Sequence, residues 1–489
     1  MDTQTSAPAK TPKVDPSLAG SGNSLYAETV MIHPRSVKGR FRTLKWWATA
    51  ILLAWWHLAP FLRWDRGPGA PDQAILADMV GRRGYLLFLE IWPQEVYYLT
   101  GLLFIAAITL FLMSSLFGRV WCGFFCWQTV YTDLFMLVER IVVGDRAKRM
   151  ALDRAPWSLN KLGKKAVINL IWLVISAACG IAFTLYFGNA PTVLHDVLTG
   201  QESVGTYTAI GIVGGCCYLL AGYAREQVCL YMCPYSRFQS AMFDEHSLIV
   251  TYEEWRGEPR KPVRKGASFD GRGHCIDCKM CVTACPTGID IREGVQMGCI
   301  GCALCIDACN TIMDKYNLPR DLVTWDSISN TAARAAGQQP RYRLIRPRTI
   351  IYVAIMTVVG AFIVFSLASR KTTEVSVLHE RAPLFVQLSD GTIRNGYVIK
   401  ILNMVREDKT YTLQLAGLDG ATFTVVGGAS NVTQAQLPVS PDAVGTYNLF
   451  VTAPAANTQG KRTPLIFILR EADQGRETRL ESLFAAPEK

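Results

Sequence analysis

Eight of the 15 cysteines fall between Cys275 and Cys309, in two blocks of identical spacing. Cys275, Cys278, Cys281 and Cys285 form one C-x2-C-x2-C-x3-C run, followed by Pro286, and Cys299, Cys302, Cys305 and Cys309 form the other, followed by Asn310. Three thiolates on one tight loop can occupy three corners of a [4Fe–4S] cube, and the fourth ligand must approach from another direction. The expected arrangement is therefore an exchange: Cys275, Cys278, Cys281 and Cys309 around one cluster, and Cys299, Cys302, Cys305 and Cys285 around the other. Gly288, Gly298 and Gly301 supply permissive backbone near the sulfurs, and Ile276, Val282, Ile289, Ile300 and Ile306 exclude water around them. Two tetrahedral zinc ions are the competing use of eight thiolates, but zinc motifs rarely need two such loops. Disulfides are disfavoured in a reducing cytosol. His274 is expected to face solvent or to stand behind the ligands.

Residues 268 to 315 resemble a bacterial two-cluster ferredoxin domain. That resemblance implies one-electron transfer between two neighbouring cubes. No Rossmann fingerprint accompanies it, so the electron donor is expected to be an external cytoplasmic carrier.

Apolar residues make up 50% of the 489-residue chain and charged residues 18%, an average over several apolar stretches separated by basic sequence. This is the composition of an integral membrane protein with soluble parts. The formal charge of +10 does not point to nucleic acid, because Lys and Arg lie beside the apolar segments and no DNA or RNA module motif occurs. Five spans are expected: Trp46 to Leu62, Val96 to Phe117, Ala166 to Phe187, Tyr207 to Tyr223 and Thr349 to Leu367. Each is close to the length that crosses about 30 Å of hydrocarbon. Gly211, Gly214 and Gly215 suit close helix packing in the fourth. Lys and Arg are dense between Arg119 and Lys165 and absent from Gly188 to Val204, which places the former in the cytoplasm. With the N-terminus inside, residues 224 to 348 are cytoplasmic and everything after Ser369 is outside. The segment Gly84 to Leu99 is expected to lie along the interface.

Two further cysteine pairs follow apolar spans: Cys122 and Cys126 in Trp-Cys-Gly-Phe-Phe-Cys-Trp, and Cys229 and Cys233 in Cys-Leu-Tyr-Met-Cys-Pro. An i,i+4 spacing puts both sulfurs on one face of a helix or of a turn continuing it. Four sulfurs converging at one cytoplasmic rim suit Cu(I), an iron–sulfur centre or reversible thiol chemistry. The bland alternative is small apolar fillers at helix contacts. Met232 and Met280 are soft-ligand candidates. Cys179, Cys216 and Cys217 read as ordinary membrane residues, His57 as a satisfied polar contact, and His195 and His246 carry no ligand spacing.

Past Arg370 and Lys371 the pattern changes to short alternating segments. Strands are expected at Phe385 to Leu388, Gly396 to Asn403, Tyr411 to Leu415, Thr422 to Val426, Tyr447 to Thr452 and Leu465 to Leu469. Asp390-Gly391, Asn395-Gly396, Asp419-Gly420 and Gly427-Gly428 supply turns, and a small antiparallel sandwich follows.

Across residues 30 to 480 the pattern resembles the cytochrome c oxidase accessory family, polyferredoxin-like membrane proteins of cbb3-type oxidase assembly. The resemblance implies a multi-domain α+β membrane protein of the bacterial inner membrane: a disordered cytoplasmic tail over 1–40, a membrane domain over 41–250 with four transmembrane helices, a cytoplasmic ferredoxin-like domain over 251–345, a fifth transmembrane helix over 346–369 and a periplasmic immunoglobulin-like β-sandwich over 370–489. It implies a cupric reductase: the eight block cysteines hold two [4Fe–4S] clusters, and Cys122, Cys126, Cys229 and Cys233 reduce or bind copper. Expected partners are the cbb3-type oxidase or its copper-delivery factors, membrane lipid, a cytoplasmic donor and, as a further candidate, a second copy of the chain. The alternatives are an electron relay to quinone or a membrane oxidoreductase, and a non-catalytic assembly scaffold.

Overall fold

Four helices among the described residues are long and apolar enough to cross a membrane: Pro93–Phe117, Leu159–Thr184, Val204–Ala224 and Pro347–Ala368. The computed structural model describes residues 31–487 apart from 68, 264–267, 371–372, 459 and 473–476. Two units divide the chain, Met1–Ala361 and Phe362–Lys489.

In the first unit the principal helices are α1 (Arg40–Leu58), α2 (Val96–Phe117), α3 (Trp127–Val142), α4 (Leu159–Thr184), α5 (Val204–Leu219) and α6 (Pro234–Ala241). The expected first span, Trp46 to Leu62, differs from the rest. Its helix begins in basic sequence at Arg40, ends at Leu58 and runs into a 3-10 turn, Ala59–Phe61. Arg42 and Lys45 are buried and face Asp133 of α3, with Arg42 Nη1 donating to both carboxylate oxygens at 2.9 and 2.8 Å. Four tryptophans, His57 and these cations keep α1 below the apolarity of the other four helices.

Residues 1–30 of the expected tail lie outside the described residues, but its end is anchored. Ser36 donates from its backbone N–H and its hydroxyl to Asp145, both at 2.9 Å, and the Asp307 carboxylate accepts from the Phe41 and Arg42 amides at 3.3 and 2.8 Å. An acceptor at the open N–H groups of a helix start is a cap, here supplied from distant sequence.

Helices α4 and α5 cross closely because of glycine. A Cβ on Gly180 would stand 2.5 Å from Ile210 O, and one on Gly214 would stand 2.9 Å from Ser176 O, whereas Gly211 and Gly215 have open space. The close approach thus rests on Gly214 and on Gly180, which the sequence reading did not single out. The segment Gly84 to Leu99, expected along the interface, carries β2 (Arg83–Leu86) and β3 (Leu89–Ile91) of a three-stranded antiparallel sheet with β1 (Ile75–Asp78), then a 3-10 turn, Pro93–Glu95, and the start of α2. Its short hairpin satisfies backbone groups within the sheet.

The two cysteine blocks lie between β4 (Ile249–Tyr252) and β5 (Val323–Asp326), which pair antiparallel. Each block ends in a helix, α7 (Met280–Ala284) and α8 (Leu304–Lys315). Helix α9 (Pro347–Ala368) follows.

The second unit contains two antiparallel sheets. One runs β10 (Thr422–Val425), β12 (Ala443–Pro454), β8 (Thr392–Asn403), β6 (Thr373–His379), with β7 (Val386–Gln387) also on β8. The other runs β11 (Gln434–Val439), β9 (Lys409–Ala416), β13 (Arg462–Glu471), β14 (Glu477–Ala485). Alternating burial along β13 and β12 puts Leu465, Phe467, Leu449 and Val451 into one core with Ile399, Phe423 and Phe484. The expected strands all appear, and β6, β11 and β14 join them. Asn395-Gly396 is not a turn: it lies inside β8, where Asn395 Nδ2 donates to Ala485 O at 3.1 Å. That tertiary bond replaces the local one that a turn would have used.

Candidate metal centres

Backbone conformation repeats between the two cysteine blocks. Asp277 and Lys279 flank Cys278 with φ of 51° and 52°, and Gly301 and Ala303 flank Cys302 with φ of 67° and 58°. Alternating left-handed residues aim consecutive amides into a concavity, a shape that suits anionic sulfur. The Gly301 N–H donates to Cys299 Sγ at 3.4 Å. In each block the helix begins one residue after the second left-handed position.

The thiols line two cavities. One is bordered by Cys275, Cys278, Cys281 and Cys309; the other by Cys285, Cys299, Cys302 and Cys305, with Cys281 on the wall between. Both are small cavities walled by their thiols and by apolar side chains. Ile276 borders the first and Ile289 and Ile300 the second, while Ile306 is buried and Val282 packs in the same core. Among the described residues no three His, Cys, Asp or Glu side chains share a single-ion site. A cube holds its ligands farther apart than one zinc ion, which needs four sulfurs about 2.3 Å from one point. The donor set and its apolar walls fit two cubes. His274 borders neither cavity; its ring packs edge-on against Phe269. Met280 borders the first cavity and accepts from Arg35 Nη1 at 3.2 Å.

Burial pushes the thiols of Cys281, Cys299 and Cys309 up to about 12. Thiols so placed hold their protons until a metal displaces them. A buried arginine stands beside each cavity. Arg292 borders the first and is held by Asp277 at 2.5 Å and Asp290 at 2.6 Å. Arg119 donates to Cys299 O at 3.0 Å and also to Met297 O and Ser236 O. These cations offset thiolate charge, and neither was selected from sequence.

The two C-x3-C pairs have one local geometry. Each begins four residues after a left-handed position at the end of an apolar helix: Gly118 (φ 61°) before Cys122, and Arg225 (φ 39°) before Cys229. Each passes through a wide π-type turn, Trp121–Phe125 or Val228–Met232. Each second cysteine, Cys126 or Cys233, is extended and donates its N–H five residues back at 2.8 Å. The next helix starts on Trp127 or Pro234. Proline is tolerated at a first helical position because the N–H there has no intrahelical partner, so the two residues fill equivalent places. This duplicated turn was visible only as cysteine spacing. Arg225 holds its unfavourable backbone by donating to Gly222 O at 2.6 Å and pairing with Glu139.

The pairs meet the second cradle directly. Cys122, Ile300, Cys302 and Leu304 form one buried cluster, with Cys229 and Tyr235 packed on it. Gly123 abuts the Gly301–Cys302 backbone so closely that a Cβ there would lie 2.8 Å from Gly301 O and 2.9 Å from Cys302 N. The Arg119 guanidinium feels Cys122, Cys229 and Cys233 as well as Cys299. Cys122 Sγ donates to Gln239 Oε1 at 3.0 Å, and burial pushes Cys122 and Cys229 up to about 12. Met232, in the same turn as Cys229, is 61% exposed. In the membrane helices Cys179 and Cys217 pack in one buried cluster with Tyr131, while Cys216 is exposed. His57 Nδ1 is bonded to Leu53 O at 2.8 Å, His195 to Asp196 and His246 to Ser329.

Family models match three parts of the chain: a 4Fe-4S binding domain over 99–143, a 4Fe-4S dicluster domain over 224–328, and the Ig-like fold at the C-terminus of FixG over 363–487. Nitrogen fixation protein FixG of Rhizobium meliloti is 43% identical over 459 residues, 88% of each chain. The chain belongs to the FixG family. Protein RdxB of Cereibacter sphaeroides is 42% identical over 94% of this chain and 97% of its own, and protein RdxA of the same organism is 43% identical over 88% and 91%. This FixG-family protein is thus a membrane-associated iron–sulfur electron-transfer protein of an oxidoreductase family, in agreement with the expected oxidase accessory relation. The first of these models covers Cys122 and Cys126, outside the two blocks.

Proposed function

We propose that the chain relays electrons from a cytoplasmic donor to an acceptor at the membrane edge, with the rim cysteines Cys122, Cys126, Cys229 and Cys233 as the exit. The supporting observation is the direct packing of Gly123 and Cys122 against the Gly301–Cys302 loop. Bound in the two cavities, [4Fe–4S] cubes would supply one-electron carriers. Cys275, Cys278, Cys281 and Cys309 would hold one, and Cys299, Cys302, Cys305 and Cys285 the other. Arg292 and Arg119 stabilise the anionic sulfurs, and the isoleucine walls exclude water.

At the rim the finer reading is reduction of Cu(II) to Cu(I) for assembly of a cbb3-type oxidase. Thiolates prefer Cu(I), so these side chains favour the reduced product. This reading places the chain in the bacterial inner membrane, with the cysteine blocks in the cytoplasm and an immunoglobulin-like sandwich of the second unit in the periplasm as a docking module. Replacing Cys229 and Cys233 by Ser should abolish reoxidation of the reduced protein by Cu(II) in anaerobic stopped flow and leave the iron and sulfide of the blocks intact. Copper reduction at the unaltered rate would reject the assigned exit. The second reading, an electron relay to a quinone or a membrane oxidoreductase in which the cysteine pairs carry another centre, is favoured by the 4Fe-4S family model over 99–143, which covers Cys122 and Cys126.

A further inference from the structure

Lys45 follows Arg42 by one turn on α1 and is 2% exposed. The start of α1 is fastened to α8 by Asp307, and the helix packs against both α8 and the Trp121–Phe125 turn, which brings it to the seam between the second cavity and the rim cysteines. The Lys45 Nζ stands 3.8 Å from Asp133 Oδ2. That distance makes an ion pair and is too long for a hydrogen bond. Both Asp133 oxygens already accept from Arg42, at 2.9 and 2.8 Å. Among the described residues the Lys45 ammonium makes no hydrogen bond. A buried ammonium with three unused donors is costly unless an anion meets it.

The anions at this seam are sulfur. The Lys45 charge acts on the thiol of Cys302, which borders the second cavity, and on that of Cys229 at the rim. Cys302 and Cys229 themselves pack in one cluster. The two cavities are alike in thiols and unlike in charge. Arg292, beside the first, is held by two carboxylates, Asp277 and Asp290. Arg119, beside the second, donates to the carbonyl oxygens of Met297, Cys299 and Ser236, and Lys45 shares one carboxylate with Arg42. Asp307, between Cys305 and Cys309 on α8, is committed to the Phe41 and Arg42 amides. Fixed charge is therefore more positive around the second cavity than around the first.

We propose that the Lys45 ammonium donates to anionic sulfur where Cys302 and Cys229 meet, and that it holds the reduction potential of the second centre above that of the first. Net charge and hydrogen bonds at the sulfurs are among the levers that set iron–sulfur potentials. Reduction adds one negative charge, which a fixed cation close by stabilises, and the low-dielectric seam strengthens the attraction. One electron then passes from the reduced first centre to the oxidised second, with no proton in company, and comes to rest beside the rim cysteines. The inference deepens the relay reading by giving the relay a direction, and it rests on that reading for its purpose.

The test is an anaerobic redox titration of the full chain in detergent, read by paramagnetic resonance, with Cys302→Ser identifying the signal of the second centre. In the wild-type chain that signal should develop at the higher potential. Lys45→Met should shift the sharing of an electron between the centres at least tenfold toward the first, about 59 mV for one electron, by moving the second centre alone. Lys45→Arg, which keeps the charge, should move it much less. A lysine that serves only Asp133 would alter the thermal midpoint and leave the potentials in place. A first centre of higher potential in the wild-type chain, or an unmoved second centre in Lys45→Met of full iron content, would overturn the proposal. Should Lys45→Met fail to hold iron, Lys45→Gln, whose amide can donate to Asp133, is titrated in its place with the same expected shift. The titration needs no electron acceptor. An unmoved potential with Cu(II) reoxidation intact sinks the role of Lys45 and leaves the relay, whereas the expected shift in a chain that Cu(II) does not reoxidise supports that role and sinks the rim exit alone.

Discussion

Gly123→Ala tests the contact on which the relay depends. The added methyl would meet Gly301 O at 2.8 Å and the N and Cα of Cys302 at 2.9 Å, where ordinary contact begins near 3.4 Å. All three atoms are backbone, so no side chain can rotate away, and the turn must part from the cradle by about 0.6 Å. Overpacking of this kind costs about 1–3 kcal/mol. If the strain is relieved by separation, the ratio of docked to parted arrangements falls by about 5- to 150-fold, at 1.36 kcal/mol per decade, which is the upper bound on the loss of rate. The assay is anaerobic stopped flow: the dithionite-reduced chain is mixed with Cu(II) and cluster colour is followed. Gly211→Ala is the control, because a Cβ there meets nothing within 4 Å. Gly123→Ala should slow reoxidation within that range with iron and sulfide retained, and Gly211→Ala should not. An unaltered rate in a Gly123→Ala protein of full iron content would refute the reasoning that electrons leave through this junction.

Three other outcomes are expected. Asp133→Asn strips a buried carboxylate from Arg42 and Lys45, a loss of about 3–5 kcal/mol, and should appear as a lowered thermal midpoint; Asp133→Asn together with Arg42→Met and Lys45→Met should recover much of it. Cys309→Ser should damage the centre held by Cys275, Cys278 and Cys281, and Cys285→Ser the other, a crossed pattern that paramagnetic resonance of each variant can read; damage confined to each residue's own block would contradict the ligand exchange. Phe467→Ala empties a fully buried site in the second unit and should cost about 3–5 kcal/mol, melting that unit at lower temperature by circular dichroism while iron content is unaltered.

The cysteine spacing carried the cluster chemistry because a tight loop can offer only three ligands, and that restriction is local. Helix α2 could be read to the residue, since an uncharged, mainly apolar run of 22 residues has one stable use in lipid. Strands in the second unit were legible where alternation was clean, as in β13. They were missed in β14, where charged residues face outward and mask the period. Asn395-Gly396 has the composition of a turn, but its side chain is bonded to β14, ninety residues later in sequence.

From the order of residues alone came the number of thiols, their grouping into fours and pairs, and the apolar helices. Tertiary structure alone decided that the pairs adjoin the second cradle and that Arg119 and Arg292 lie beside the sulfurs. Spacing dictates what one loop can bind, because its geometry is limited by covalent connection. Adjacency between loops depends on close packing across the whole fold, such as the absence of a side chain at Gly123, and no local pattern encodes that.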